Sequence, residues 1–175
     1  MDNFQFTFGK IHLRALEPED LPLLYRWEND PAVWAVSNTQ VPFSNYILKQ
    51  YIEESHRDIY ETKQLRLIIE NLQQETVGAI DLFGFEPYDR RAGIGILIYN
   101  PSNRRKGYAF DALSLLKKYS QESLGLHQLY ANIAAGNPAS KELFAKAGFS
   151  CSGRKKEWHK TSLGWEDELI YQCLL

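Results

Sequence analysis

The run Arg104-Arg105-Lys106-Gly107-Tyr108-Ala109 places three cations and a glycine where a strand pattern gives way to a helix pattern. The N-terminus of a helix presents unpaired backbone amides and about half a positive charge. Gly107 would let an anion approach the backbone closely, and the cations would add charge-assisted hydrogen bonds. The run therefore predicts a phosphate-binding loop, although a basic triplet alone is also typical of a solvated surface loop.

Two acidic residues are candidates for chemistry with a proton or a cation. Asp81 interrupts the apolar run Ala79-Ile80-Asp81-Leu82-Phe83, and a carboxylate there must face solvent or a cleft because burial without a partner is costly. Glu28 follows Trp27 near the end of the first predicted helix. An outward strand position and an exposed helix carboxylate explain the same pattern, so both interpretations stay open.

The histidines and cysteines give no sign of a metal site. The two cysteines have no CxxC or histidine partner at zinc-ligand spacing, and the histidines form no HExxH or other paired motif. We expect no metal, and a structural role for the four histidines, which are His12, His56, His127 and His159.

The elements that must position these residues follow from the spacing of apolar side chains. Pro18 and the acids after it open a helix that ends near Asn29, and Ser44 or Asn45 caps a second helix. Three aliphatic runs follow, joined by short connections rich in turn residues, which predicts an antiparallel meander. These runs lie at 65–69, 77–85 and 94–99.

The C-terminal half predicts helices interleaved with strands. A helical period follows the third run and stops at Gly125, and a strand at 129–135 leads into a helix begun by Asn137-Pro138. Residues 149–158 and 165–175 are separated by a polar stretch that contains glycine, and they predict a final pair of strands.

Two of these segments resemble a known family. Arg104-x-x-Gly107-x-Ala109, after an Ile-Leu-Ile strand, resembles the acetyl-CoA pyrophosphate loop of the GNAT N-acetyltransferase superfamily. Asn137-Pro138-Ala139-Ser140, followed by a segment that ends in Gly148-Phe149, resembles the second cofactor segment of that family, in the usual order and separation. The opening segments, Ile11-x-Leu13-Arg14-x-Leu16 and 25–31, are similar to the branch of spermidine/diamine acetyltransferases and ribosomal-protein N-terminal acetyltransferases.

The resemblance implies acetyl-CoA as a co-substrate. In the family, the strand before the loop pairs with the pantetheine arm and splays away from the next strand, and one of its amides stabilises the oxyanion. Asn137 and Ser140 would contact the pantetheine, although helix capping explains Asn137 equally well. The expected cofactor-binding residues are Ile96, Leu97, Ile98, Arg104, Arg105, Lys106, Gly107, Tyr108, Ala109, Asn137, Ser140 and Phe144.

The resemblance also implies direct attack of an amine on the thioester. Glu28 is the first candidate for the base, because the first helix borders the acceptor pocket in this family, and Asp81 is the second. Many members carry a tyrosine general acid at the position that Phe144 occupies here. A phenyl ring cannot donate a proton, so either another group supplies it or the thiolate leaves unaided.

Composition limits the classes of partner. The chain has 175 residues, of which 44% are hydrophobic, so we expect one domain spanning residues 1–175. Twenty Lys and Arg against 22 Asp and Glu leave a net charge of −2, without the positive field that gathers nucleic acid or anionic lipid. With no secretory leader or membrane-spanning segment in the sequence, we expect a cytoplasmic protein.

These observations combine into one expectation of fold and function. The fold is a single α/β (α+β) GNAT domain, with a mixed, mostly antiparallel sheet of about seven strands flanked by about four helices. The expected activity is acetylation of a small polyamine or diamine, held by an acidic pocket of Glu28, Asp30, Glu53 and Asp81. The alternatives are a peptide N-terminal or aminoglycoside-type acetyltransferase and a non-catalytic acyl-CoA-binding regulator. The oligomeric state stays open, since family members form monomers, dimers and larger rings.

Overall fold

The computed structural model describes residues 4–37 and 39–175. The strands within these ranges are β1 (Thr7–Phe8), β2 (Ile11–Arg14), β3 (Leu65–Asn71), β4 (Thr76–Glu86), β5 (Arg91–Ile98), β6 (Gln128–Ala134), β7 (Ser150–Thr161) and β8 (Gly164–Leu174). The helices are α1 (Leu21–Glu28), α2 (Pro31–Ser37), α3 (Asn45–Glu54), α4 (Ile59–Thr62), α5 (Tyr108–Glu122) and α6 (Pro138–Lys146). None of these helices is long and apolar enough to cross a bilayer.

The strands form one sheet in the order β1-β2-β3-β4-β5-β6-β8-β7. Every neighbouring pair is antiparallel except β5 and β6, which confirms the expected mixed, mostly antiparallel sheet. The described residues hold eight strands and six α-helices rather than about seven and about four. The helices α2 and α4 are too short to show an apolar period, and the alternation of Phe4, Phe6 and Phe8, which predicts a strand or a hairpin arm, corresponds to the two-residue β1.

The parallel pair β5 and β6 stays together over three residue pairs only. Arg91, Ala92 and Gly93 pair with Gln128, Leu129 and Tyr130, and beyond Gly93 the two strands separate. The rest of β5 is held on its other side by β4, as far as the pair Gly78 and Ile98. The sheet therefore opens at the C-terminal ends of β5 and β6.

Helices pack on both faces of the sheet. Ala112, Leu113 and Leu116 of α5 pack in one core with Ile69 and Ile80 of the sheet. The second core joins α1 and α3 to Ile68 and Ala79, which point to the opposite face because side chains alternate along a strand. The α5 face and the α1 face are thus distinct, and each residue of β3 and β4 is assigned to one of them.

Arg14 ties the start of α1 to the sheet. Its guanidinium donates to the Asp20 carboxylate at 2.7 and 2.9 Å, and to Glu70 of β3 at 2.5 Å. The Glu17 amide also donates to Asp20, at 2.9 Å. Burial alone would raise the pKa of Asp20, but the hydrogen bonds from Arg14 and Glu17 outweigh it and hold that pKa below its ordinary value. The ion pair therefore helps to set the position of α1, which carries Glu28.

Candidate active site

A cleft of about 600 Å³ lies where β5 and β6 diverge. Its walls come from β3 to β8 together with α1, α2 and α6, so it passes from one face of the sheet to the other. Gly95 lines it directly opposite Asp81 in the β4–β5 register and carries no side chain to fill the space. A ligand can therefore run between the two strands.

The loop before α5 has the backbone that an anion site requires. Gly107 is the N-cap of α5 with φ of 93°, in the left-handed region, and Arg105 has φ of 60°. A Cβ built on Gly107 would meet no atom within 4 Å, so open space faces the backbone there. Left-handed turns at a helix N-terminus direct amides into one concavity, as in anion sites, and a diphosphate site in this loop stays a prediction.

The basic side chains of the loop divide into two kinds. Arg104 donates to the carbonyls of Ile98 at 3.2 Å and Tyr99 at 3.4 Å, and so holds the loop against the end of β5. Lys106 reaches Asn103 Oδ1 at 3.3 Å, and Arg105 is exposed. Arg104 therefore acts on the shape of the loop, whereas Arg105 offers its charge to solvent.

Lys10 is a further cation beside the loop, and no local sequence pattern predicts it there. Lys10, in the turn between β1 and β2, donates through Nζ to the Lys106 carbonyl at 3.2 Å. Its backbone amide donates to Asp111 of α5 at 2.9 Å. Residues so distant in sequence share no local pattern, so only the fold brings Lys10 to the loop.

Arg66 joins the two predicted acidic residues. Arg66 donates to Glu28 at 2.5 Å and to Asp81 at 2.6 and 3.2 Å, and all three side chains line the cleft. The trio lies on the α1 face, since Arg66 and Asp81 alternate with residues of the α5 core. Arg66 lies in no motif of the sequence, although the meander places it directly opposite Asp81.

The electrostatics of the trio keep Arg66 charged. Burial alone would lower the pKa of Arg66, but the charges of Asp81 and Glu28 outweigh burial and hold it above its ordinary value. The guanidinium also lies over the Tyr51 ring, 5.5 Å from its centroid, and burial raises the pKa of the Tyr51 phenol. Two carboxylates against one guanidinium leave one net negative charge.

Two of the expected pocket acids lie elsewhere. Asp30 accepts the Ala32 amide at 2.9 Å at the start of α2, and Glu53 is exposed beside Lys49 at 3.8 Å. Neither lines the cleft, so the expectation that they belong to the acceptor pocket is wrong. For Glu53, the physical reason is that α3 directs its apolar side, with Leu48 and Ile52, at the sheet and its charged side at solvent, whereas Asp30 is engaged at the start of α2.

A second polar cluster lines the cleft from the hairpin of β7 and β8. His159 Nε2 lies 2.8 Å from Glu168 Oε2, and Lys155 Nζ donates to Glu168 Oε1 at 2.6 Å. Glu166 accepts the Gly136 amide at 2.5 Å. The sequence predicts a structural role for His159. The structure instead places it in the cleft, because the hairpin pairs it with Glu166. Counting residues outward from the turn could have shown this.

Comparison with known proteins identifies the family of this chain. The sequence model of the acetyltransferase (GNAT) domain matches residues 10–150. The chain belongs to the GNAT family. The spermidine N(1)-acetyltransferase of Vibrio cholerae is 26% identical over 149 residues, 85% of this chain and 84% of the relative. The uncharacterized N-acetyltransferase YnaD of Bacillus subtilis is 24% identical over 168 residues, 96% of this chain and 95% of the relative.

Solved GNAT structures share the fold along nearly the whole chain. The Vibrio cholerae spermidine N-acetyltransferase in complex with CoA and spermine matches with a TM-score of 0.84 at 24% identity, over 94% of this chain and 95% of the other. A chimera of the Vibrio cholerae spermidine N-acetyltransferase and hSSAT matches with a TM-score of 0.82 at 25% identity, over 95% of this chain and 96% of the other. The protein is therefore an N-acetyltransferase with the fold of a GNAT enzyme, and GNAT enzymes use acetyl-CoA.

Five of the predicted cofactor residues line the opening between β5 and β6, whereas Ile98 and residues 104–109 do not line it. Ile96 and Leu97 line the cleft from β5, and Asn137, Ser140 and Phe144 line it from α6. Asn137 Oδ1 accepts the Ser140 amide at 3.1 Å, so the capping interpretation is correct and its side-chain nitrogen remains a donor. Roles of these residues in binding the cofactor stay predictions.

Phe144 leaves the usual acid position of a GNAT enzyme without a proton donor. Its ring is buried, 4% exposed, and packs edge-on against Phe149 with ring centroids 5.1 Å apart. The residue thus contributes an apolar wall to the cleft.

Proposed function

We propose that this GNAT enzyme acetylates a primary amine of a small polyamine or diamine. The observation that carries the acceptor class is the charge of the cleft. Four carboxylates line it, which are Glu28, Asp81, Glu166 and Glu168, against the cations Arg66 and Lys160 of the lining and Lys155, which is bonded to Glu168, so carboxylates exceed cations by one. A polycation gains free energy from such a surface. The similarity to the Vibrio cholerae spermidine N(1)-acetyltransferase supports the same class.

Glu28 and Asp81 are proposed to bind an ammonium group of the acceptor. Both carboxylates already accept hydrogen bonds from Arg66, yet the trio keeps one net negative charge and further acceptor positions. An ammonium has three donors and no acceptor, which complements those positions. Arg66 fixes the two carboxylates in place, so they need not be ordered when the amine binds.

The opposite face is proposed to hold the donor, which supplies an activated acetyl group as its thioester. The amides of Gly107, Tyr108 and Ala109 would bind the diphosphate, and the free backbone edge of Ile96–98 would bind the pantetheine. A backbone amide of that edge would stabilise negative charge on the carbonyl oxygen. No acid is required at Phe144, because a thiolate with pKa around 8.5 leaves without much assistance.

Thiol release from acetyl-CoA by the purified protein tests the proposal. Spermidine, putrescine, an aminoglycoside and a peptide with a free N-terminus are supplied separately, and product masses are measured. We expect release with spermidine or putrescine. Release with the peptide or the aminoglycoside alone would contradict the polyamine proposal. Acetyl-CoA binding with no release from any amine would contradict the activity itself.

We also propose that the chain assembles into a homo-oligomer. A Vibrio cholerae spermidine N-acetyltransferase structure described as dodecameric matches with a TM-score of 0.78 at 24% identity, over 94% of each chain. Light scattering should then give a mass that is a multiple of the 20.3 kDa chain. A mass of one chain at micromolar concentration would contradict assembly.

A further inference from the structure

We infer that His159, oriented by Glu168, accepts the proton that the acceptor ammonium loses before acetyl transfer. This inference rests on the proposed function in one respect, since it requires a primary amine as the acceptor. It assigns to the β7–β8 hairpin the step that the sequence analysis assigned to Glu28.

The reaction needs a proton acceptor. A primary alkylammonium has a pKa near 10.4, so at pH 7 only about one molecule in 2,500 is neutral and nucleophilic. A side chain that takes the proton within the complex recovers most of that loss, and such catalysis contributes typically 10²–10⁴-fold. Imidazole is the side chain used most often for this purpose.

The geometry defines which nitrogen of His159 is available. Lys155 can only donate, so Glu168 acts as an acceptor toward it, and an ionised carboxylate has no proton to offer His159. The proton of the neutral ring therefore lies on Nε2, which donates to Glu168 at 2.8 Å. Nδ1 keeps its lone pair, and among the residues that the structure describes it has no hydrogen-bond partner.

Glu168 is suited to hold the ring and to stabilise its charged form. Its side chain is only 8% exposed and engages a partner at each oxygen, so its orientation is determined by the fold. When Nδ1 takes a proton, the imidazolium lies against this carboxylate, the arrangement that a carboxylate and histidine form in hydrolytic triads. Glu168 is thus a positioning residue for His159.

The hairpin places His159 and Glu168 on the α1 face of the sheet, where the acceptor is proposed to bind. Glu168 pairs with Ala134 in the β6–β8 register, and Ala134 points away from the α5 core, to which its neighbour Ile133 belongs. Glu168 therefore shares a face with Arg66 and Asp81. The charged groups around His159 are Lys155 and Lys160 on β7, Glu166 and Glu168 on β8, and Glu28, Arg66 and Asp81 across the cleft.

The competing carboxylates are less free to accept a proton. Glu28 is bonded to Arg66 at 2.5 Å, and Asp81 receives two hydrogen bonds from the same guanidinium. A proton on either would have to compete with these charge-assisted bonds. Nδ1 of His159 has no such competitor.

The step balances without another reactant. One proton passes from the ammonium to Nδ1, and the nitrogen lone pair forms a bond to the acetyl carbon as the carbon–sulfur bond breaks. Sulfur keeps the bonding pair and takes the second proton that the nitrogen loses, which gives an amide and a thiol. The imidazolium then returns its proton to solvent.

The test compares wild type with His159→Gln, using spermidine at saturating acetyl-CoA from pH 6 to 9. Glutamine keeps a donor for Glu168 but cannot take the proton. We expect kcat to fall about 10²–10⁴-fold at pH 7, with unchanged acetyl-CoA affinity. The loss should shrink toward pH 9, as neutral amine becomes more abundant, and free imidazole should partly restore His159→Ala.

His127→Gln is the matched control, because His127 is exposed and lies outside the cleft. An equal loss for His159→Gln at every pH, without rescue, would indicate a structural role and overturn the inference. Undiminished kcat would also overturn it. Glu168→Gln should lower kcat in the wild-type background but not in His159→Gln, whereas an equal loss in both backgrounds would contradict its positioning role.

Failure of the proposed function gives a different result. If wild type acetylates neither spermidine nor putrescine but another amine, the polyamine proposal is wrong and the same variants are compared with that amine. If wild type acetylates no amine, both fail. If Glu28→Gln but not His159→Gln abolishes the fall of kcat toward acidic pH, the acceptor class stays intact and only the assignment of the base is overturned.

Discussion

The side chain of Arg66 lies between Glu28 and Asp81 and bonds to both. The sequence indicated each carboxylate for a separate reason, and neither reason pointed to their shared partner. This pairing changes the role that we propose for the two carboxylates. Because both are bonded to Arg66, we propose that they bind the cationic acceptor and do not remove its proton.

Asp81→Asn and Glu28→Gln should each raise KM for spermidine about 10–100-fold, since a charge-assisted hydrogen bond contributes about 1.5–3 kcal/mol. We expect kcat to change much less. Steady-state kinetics measure both, with Glu53→Gln as the control, because Glu53 is exposed and outside the cleft. Unchanged KM in both cleft variants would remove these carboxylates from the acceptor site.

Phe144→Tyr should change kcat by less than about tenfold, well below the typical contribution of a general acid. The leaving thiolate needs little protonation, and the ring position is buried against Phe149. Pre-steady-state and steady-state rates of thiol release provide the measurement. A gain of a hundredfold or more would mean that wild type is limited by the missing acid.

At the scale of elements, the cofactor loop depends on one left-handed residue. Gly107→Val should weaken acetyl-CoA binding at least tenfold, because φ of 93° is strained for valine and its side chain would fill the space before the amides. Gly125→Val is a matched control at the other end of α5, with φ of 62° and equally open space. Calorimetry should find that Gly125→Val lowers stability but not affinity, and equal affinity losses would contradict the loop assignment.

Asp20→Asn should destabilise the fold by about 1–3 kcal/mol at pH 7, because Arg14 and the Glu17 amide lose a charged acceptor. The pKa of Asp20 is lower in the folded state than its ordinary value of 3.8, so the stabilisation is present above that value and is lost as pH falls through the folded pKa. Denaturant unfolding of both proteins at pH 3 to 7 should show the difference shrinking only below about pH 4. A constant difference across this range would contradict the ion-pair explanation.

Most helices and the meander were predictable from the sequence, whereas several residues of the cleft and the loop were not. The apolar periods and caps predicted α1, α3, α5 and α6 and the β3–β5 meander, since those signals are local. His159, Arg66 and Lys10 were missed as site residues because their partners are set by hairpin register or by the packing of a distant turn. Asp81 was predicted because an acidic residue within an apolar run is visible in the sequence alone.

At the scale of the whole molecule, the opening between β5 and β6 connects two differently charged surfaces. The loop before α5 carries the backbone amides and basic residues that are proposed to bind an anion, and carboxylates on the α1 side form the surface that is proposed to bind a cation. A net charge of −2 for the chain conceals this separation. Under the proposed function, two oppositely charged substrates approach from opposite faces and meet within the sheet.

The most direct test of this arrangement is a competition among acceptors. Equal concentrations of spermidine, a monoamine of similar length and a peptide with a free N-terminus are mixed with limiting acetyl-CoA, and product masses are counted at low and high salt. We predict that acetylated spermidine dominates at low salt, and that its excess over the monoamine product falls as salt screens the cleft. Equal products from spermidine and the monoamine, a predominance of acetylated peptide, or a preference indifferent to salt would contradict an acidic cleft that selects polyamines.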